Sequence, residues 1–123
     1  MQLSDAEWIV MNLIWDCQPM EASAVIQALG PENGWSDATV KTMLHRLVKK
    51  GALKTEALGK KYRYTAAVRR SACVRKASRS FVQRVFGGNA VPALMHFVKT
   101  SKLSDDDLAQ LRALLDEKSQ DSR

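Results

Sequence analysis

Apolar residues recur at helical spacing through the first third of the chain. Ser4 and Glu7 have the spacing of a capping box, which predicts a helix that begins there and ends before Pro19. A second, short helix is predicted over residues 22–29, where apolar side chains recur every three to four positions. The following stretch, residues 30–34, contains two glycines and a proline and is predicted to be a loop.

A third helix with two contrasting faces is predicted between Ser36 and Gly51. Ser36 is a suitable N-cap, and Gly51 can end the helix in a left-handed conformation. One face is apolar: Val40, Met43, Leu44, Leu47 and Val48. The opposite face and its flanks carry polar or basic side chains: Thr39, Lys41, Thr42, His45, Arg46 and Lys49. Two short extended runs, 53–58 and 61–65, then surround Gly59 and predict a β-hairpin.

The second half of the chain predicts three more helices. A long basic helix covers about 71–86, a short apolar helix covers 91–99, and Ser104 caps the last one. The two final helices supply more apolar surface than they can bury alone, which predicts a homodimer interface. Its predicted residues are Leu94, Phe97, Val98, Leu108, Leu111 and Leu115.

Three helices followed by a β-hairpin are the order of a winged helix-turn-helix. The predicted fold is therefore mainly α with a small β-hairpin wing, followed by a helical dimerisation region. Residues 1–67 form the winged-helix domain in this interpretation, and residues 68–123 form the dimerisation region. In this fold the third helix enters the major groove of DNA and the hairpin touches the flanking backbone.

The charge distribution supports a polyanionic partner. The net charge is +6, yet residues 1–35 contain five acids and no Lys or Arg, whereas residues 36–65 hold eight bases against two acids. The predicted DNA-binding residues on the third helix are Thr39, Lys41, Thr42, His45, Arg46 and Lys49, and those of the wing are Lys60, Lys61 and Arg63. The alternative is that these side chains form only a solvated helix face and a soluble turn.

Several other classes of protein are disfavoured. No apolar run is long enough to span a membrane, and the N-terminus lacks the basic and apolar regions of a signal peptide, so we expect a cytoplasmic protein without membrane insertion. The two cysteines, Cys17 and Cys73, are isolated, so we expect neither a metal site nor a cofactor. Helix capping explains the acids at 105–107, and His45 and His96 stand alone, so no catalytic constellation is predicted. A winged helix that binds protein remains the other alternative.

The stretch 34–51, GWSDATVKTMLHRLVKKG, resembles the G-W-S-x-x-T-V-x-T-hydrophobic-x-x-R-L-x-x-K-G motif of the penicillinase repressor family. The runs LSDAEW at 3–8, FGG at 86–88 and LSDDDLAQL at 103–111 are also similar to that family. The resemblance implies a homodimeric repressor that binds double-stranded operator DNA with two-fold-related TACA/TGTA half-sites. It also implies a membrane sensor metalloprotease as a partner in induction.

The resemblance implies a cleavage site as well. In the β-lactam-responsive members, repression ends when an Asn-Phe bond in the dimerisation part is cut, and the matching bond here joins His96 to Phe97. His96 departs from the pattern, so the alternatives are that Phe97 is only a core or interface aromatic and that a different signal acts. His45 and Glu21 also depart, the latter standing where a Ser or Thr would cap the second helix. The paired cysteines of the copper-responsive branch are absent after Cys73.

Overall fold

The computed structural model describes residues 1–121 and divides into two compact units. The first unit is Met1–Ser78, and the second begins at Arg79. The elements in chain order are α1 (Asp5–Cys17), β1 (Met20–Glu21), α2 (Ala22–Asn33), α3 (Asp37–Lys50), β2 (Leu53–Leu58), β3 (Lys61–Ala66), α4 (Arg70–Phe86), α5 (Ala90–Thr100) and α6 (Asp105–Asp121). The last two residues of the predicted dimerisation region, Ser122 and Arg123, lie outside the described residues.

The capping box predicted at the start of α1 is confirmed. The Ser4 hydroxyl accepts a hydrogen bond from the backbone N–H of Glu7 at 3.2 Å, and the Glu7 carboxylate accepts one from the backbone N–H of Ser4 at 2.9 Å. These two bonds satisfy backbone donors that a helix start otherwise leaves without partners. The helix ends at Cys17, before Pro19, as the sequence predicts.

The predicted loop at residues 30–34 is wrong, because α2 continues to Asn33. Pro31 lies in the last turn, where a missing N–H removes one intrahelical bond without breaking the helix in its middle. The amide of Asn33 donates to the Leu29 carbonyl at 2.8 Å, and the backbone N–H of Trp35 donates to the Gly30 carbonyl at 2.9 Å. Gly34 then closes the helix with a φ of 67°, a left-handed conformation that glycine adopts at little cost.

The limits predicted for α3 are confirmed. The Ser36 hydroxyl accepts from the backbone N–H of Thr39 at 3.1 Å, and Gly51 ends the helix with a φ of 85°. The apolar face of α3 packs into a core that it shares with α1, α2 and the start of β2. This core comprises Val10, Met11, Ile14, Val25, Leu29, Val40, Met43, Leu44, Leu47, Ala52 and Leu53. The opposite face of α3 is thereby held outward.

The sheet has three strands, one more than the sequence predicts. The predicted hairpin is confirmed as β2 paired with β3, and the short strand β1 pairs with the other edge of β3, giving the order β1-β3-β2. Met20 lies opposite Tyr64, and both pack against the core. On the other face of the sheet Arg63 lies between Glu21 in β1 and Glu56 in β2.

The helices α4 and α5 begin and end within one residue of their predicted limits, and α6 begins directly after its predicted cap, Ser104. Asn89 caps α5 by accepting from the backbone N–H of Val91, and Ser104 and Asp107 exchange hydrogen bonds at the start of α6. Ala93 is the one fully buried apolar residue between Arg79 and residue 121. The fold predicted from the sequence, a winged helix followed by a helical region, is confirmed.

Candidate nucleic-acid interface

The outward face of α3 is polar, basic and accessible. All six side chains that the sequence analysis assigned to it are exposed: Thr39, Lys41, Thr42, His45, Arg46 and Lys49. They are exposed because Val40, Met43, Leu44 and Leu47 occupy the intervening positions and are buried. The helix therefore presents hydroxyl, imidazole, ammonium and guanidinium groups along a single surface. Groups of these kinds bind base edges and phosphates.

The two threonines of this face are partly engaged by the helix itself. The Thr42 hydroxyl donates to the carbonyl of Ala38 at 2.9 Å, and the Thr39 hydroxyl lies 2.9 Å from the hydroxyl of Ser36. These bonds leave oxygen lone pairs available to an incoming donor. They also fix the side-chain rotamers, so each threonine presents its methyl group in one defined direction.

An ion pair with Glu7 anchors the C-terminal end of α3. The Lys50 ammonium lies 2.6 Å from a Glu7 carboxylate oxygen and also donates to the backbone carbonyl of Gln2 at 2.9 Å. Burial of Glu7 raises the pKa of its carboxyl group. The hydrogen bonds from Lys50 and from Ser4 outweigh burial, so the pKa is lowered from its ordinary value. No sequence pattern indicates this pair, since its members are 43 positions apart.

The three cations of the wing differ in their exposure to solvent. Lys60 and Lys61 are exposed beside Gly59, which turns the chain with a φ of 63°. Arg63, also predicted to be a DNA-binding residue of the wing, lies two residues into β3 and is only half-exposed. Its Nε atom is buried and has no hydrogen-bond partner among the described residues. The Lys61 ammonium is 3.6 Å from the carboxylate of Glu21.

Contacts with α1 fix the segment that leads into α4. The indole N–H of Trp15 donates to the carbonyl of Val68 at 3.0 Å. The guanidinium of Arg70 donates to the carboxylate of Asp16 at 2.8 Å and to the carbonyl of Asn12 at 3.0 Å. The same guanidinium lies over the ring of Trp15, 5.2 Å from its centroid. Residues 68–70 are therefore packed onto the winged helix.

The residues predicted to form the dimer interface are mostly exposed in the single chain. The exposed members are Leu94, Phe97, Val98, Leu111 and Leu115, and Leu108 is half-buried. Leu94 and Leu115 expose 59% and 64% of their surfaces. Large apolar side chains that remain so open in one chain are typical of a surface that another molecule covers.

The His96–Phe97 bond lies inside α5 and not in a loop. The carbonyl of His96 accepts from the hydroxyl of Thr100 at 2.9 Å, and the carbonyl of Phe97 accepts from the backbone N–H of Ser101 at 3.0 Å. The ring of Phe97 is stacked on that of Phe81, with centroids 6.0 Å apart. A protease that needs an extended substrate would have to unwind this part of α5 first.

Among residues 1–121 no helix has the length and apolar character needed to cross a membrane. Within the same residues, no group of three or more His, Cys, Asp or Glu side chains is arranged to hold a metal ion.

Comparisons with known proteins identify close sequence relatives. The sequence profile of the family described as penicillinase repressor matches residues 3–117. The chain is 34% identical over 116 residues to the penicillinase repressor of Bacillus licheniformis, which covers 94% of this chain and 91% of the relative. It is 32% identical over 117 residues to the methicillin resistance regulatory protein MecI of Staphylococcus aureus, covering 95% of each chain.

A solved structure resembles the chain in both sequence and fold. It is the solution structure of monomeric Bacillus licheniformis BlaI in complex with the blaP half-operator. The TM-score is 0.53 and the sequence identity is 41%, over 58% of this chain and 87% of that one.

Proposed function

The chain belongs to the penicillinase repressor family, and from that premise we propose that it is a DNA-binding transcriptional repressor. The family is one of repressors, so the chain is a regulator and not an enzyme. The observation that carries the proposal is the exposed polar and basic face of α3, held outward by a buried apolar face on the same helix. The binding of BlaI, which is 41% identical over 58% of this chain, to a half-operator supports it.

In this proposal α3 occupies the major groove of double-stranded DNA. Arg46 and Lys41 reach guanine edges or phosphates, and Thr39 and Thr42 contact bases or phosphates through their hydroxyl and methyl groups. His45 and Lys49 lie on the same face and complete the surface on the helix. Lys60, Lys61 and Arg63 of the wing contact the flanking phosphate backbone.

The repressor acts as a homodimer on a two-fold symmetric operator with TACA/TGTA half-sites. Residues 1–67 bind DNA in this proposal, and residues 68–123 hold two copies together. The support is the exposed apolar surface of α5 and α6, which a C2 dimer would bury isologously. Two linked half-site contacts raise the affinity above that of either one alone.

Relief of repression would follow from a cut between His96 and Phe97 by a membrane sensor metalloprotease. Such a cut separates α6 and the end of α5 from the rest of the chain, and with them five of the six residues of the proposed dimer interface. The remaining chain would then bind half-sites singly and weakly. Because its target is DNA, the repressor works in the cytoplasm.

A binding titration tests the DNA-binding proposal. The purified protein is titrated into two labelled duplexes, one with inverted TACA/TGTA half-sites and one with the same bases scrambled. We expect tighter binding to the first, and a steep negative slope of log affinity against log salt on both. Binding to neither duplex would overturn the proposal and favour a winged helix that binds protein instead.

A further inference from the structure

We propose that Glu21 limits the affinity of this surface for DNA by competing with DNA phosphates for the wing cation Lys61. The inference rests on the proposed function, because it concerns the regulation of the same surface. Glu21 is the last residue of β1 and also the residue that precedes the first turn of α2. It therefore stands where the helix-turn-helix and the wing meet.

Lys61 lies beside a carboxylate, and acidic residues stand opposite Arg63 on both neighbouring strands. The Glu21 carboxylate lies 3.6 Å from the Lys61 ammonium, and the Glu21 backbone is paired with Arg63 in the sheet. Glu56 lies opposite Arg63 on its other side, so Arg63 is flanked by an acid on each neighbouring strand. Of the wing cations, Lys60 alone lies at the turn, outside this arrangement.

A purely structural role does not account for Glu21. Its side chain makes no capping hydrogen bond to α2, although it occupies the N-cap position. Its ion pair is also largely open to solvent, since the Lys61 side chain is 72% exposed and that of Glu21 is 35% exposed. Exposed ion pairs of this kind add little to folding stability. The carboxylate therefore changes the charge of the surface but adds little to the stability of the fold.

Carboxylate and phosphate are both oxyanions, and the Lys61 ammonium cannot make its closest contact with both of them at the same time. When a phosphate approaches Lys61, the Glu21 carboxylate either gives up its contact or stays within a few ångströms of the phosphate and repels it. Removing the negative charge should therefore tighten DNA binding by about three- to tenfold at low salt. Because every sequence carries the same phosphates, the gain should be equal on specific and random DNA. The salt slope should steepen by up to about one unit.

The test compares three variants by fluorescence anisotropy on a random-sequence duplex and on the half-site duplex. Glu21→Gln removes the charge with little change in shape, and Glu21→Ser also supplies a hydroxyl that can cap α2. Glu32→Gln is the matched control, since it removes one negative charge near the C-terminal end of α2, about 16 Å from Glu21 along the helix axis. We expect both Glu21 variants to bind both duplexes more tightly, and Glu32→Gln to bind like the wild type.

A double-mutant cycle with Lys61→Gln tests whether Glu21 changes the DNA affinity through Lys61. If Glu21 acts through Lys61, the gain from Glu21→Gln should shrink in the Lys61→Gln background. A wild type that binds neither duplex would overturn the proposed function. A wild type that binds DNA, with Glu21→Gln indistinguishable from the wild type or from Glu32→Gln, would overturn this inference alone. Thermal unfolding of each variant checks that tighter binding does not come from greater stability.

Discussion

The charged side chains of the proposed DNA interface lie in different surroundings. Arg46 is exposed on α3, among the residues that would face the floor of the groove. Lys61 begins β3 beside the turn of the wing and lies near Glu21. A guanidinium can donate two parallel hydrogen bonds to a guanine edge, whereas an ammonium acts on a phosphate as a point charge.

Substitution of each cation by alanine should therefore have a different effect. Arg46→Ala should weaken specific binding by about 1–3 kcal/mol and non-specific binding by less, because a base contact is lost. Lys61→Ala should weaken both about equally and flatten the salt slope, because a phosphate contact is lost. Titrations of the half-site and random duplexes across salt measure both quantities. Identical behaviour of the two variants would refute this division of roles.

The ion pair between Glu7 and Lys50 makes stability depend on pH. The pKa of Glu7 is lowered in the folded chain, so its contribution is present above the ordinary carboxyl pKa of 4.5 and is lost as the pH falls through the lower folded value. Lys50→Met should cost about 1–3 kcal/mol at pH 7, because it leaves a buried carboxylate without its charged partner. Without Lys50, burial opposes the ionisation of Glu7, so the part of the stability that is lost on acidification through Glu7 should shrink.

Denaturant unfolding of the variants between pH 3 and about pH 7 measures this dependence. Lys49→Met is the control, since it removes the neighbouring, exposed ammonium of the same helix end. Equal stability of the Lys50 and Lys49 variants at neutral pH would show that the pair does not stabilise the fold.

At the level of elements, α2 and α5 show how helical structure constrains function. The extension of α2 to Asn33 shortens the turn before α3 to Gly34 and Trp35, with Ser36 as the cap. A short turn restricts the orientation of α3 relative to α2, which a helix-turn-helix needs in order to present its third helix. In α5, regular helical hydrogen bonding keeps the proposed scissile bond out of the extended conformation that a protease would need.

Cleavage between His96 and Phe97 should therefore depend on local unwinding as well as on sequence. We expect His96→Asn, which restores the residue typical of the family, to be cut faster by a genetically linked sensor protease than the wild type. Phe97→Ala should be cut more slowly. Co-expression followed by intact-mass spectrometry after addition of inducer gives the fraction cut. An uncut chain alongside full derepression would exclude proteolysis as the switch.

At the level of the whole molecule, the two units differ in how they bury apolar surface. The first has a core of eleven buried residues from three helices, β2 and the segment before it. The second buries only Ala93 among its described residues, although α5 and α6 are rich in leucine and other large apolar side chains. So small an interior supports the proposed association of two copies through this unit.

The protein should be a dimer at micromolar concentration. Leu111→Asp combined with Leu115→Asp should convert it to a monomer, because a carboxylate placed in an apolar interface loses its hydration without gaining a partner. Gln110→Asp, on the opposite side of α6, should leave the dimer intact. Sedimentation velocity distinguishes these outcomes, and a monomeric wild type that still binds the operator tightly would contradict the proposed assembly.

The sequence alone determined the local elements and the faces of α3. Helix limits follow from short-range signals, such as the capping box of Ser4 and Glu7 and the N-cap Ser36, whose partners lie three residues away. The exposed face of α3 follows from the helical period, which fixes the buried positions and thereby the outward ones. The loop predicted at Gly30 failed because composition could not show that Pro31 would lie in a final turn, where it is tolerated.

Only the tertiary structure decided which distant residues meet. The pairing of β1 with β3 places Glu21 opposite Arg63, although a two-residue strand has no periodicity to reveal it. Lys50 reaches Glu7, and Arg70 reaches Asp16, across 43 and 54 positions of the chain. Such contacts depend on strand register and on how helices pack around the core, and neither is encoded in a local pattern. The folded chain thus brings the carboxylate of Glu21 to Lys61, a cation of its proposed DNA-binding surface.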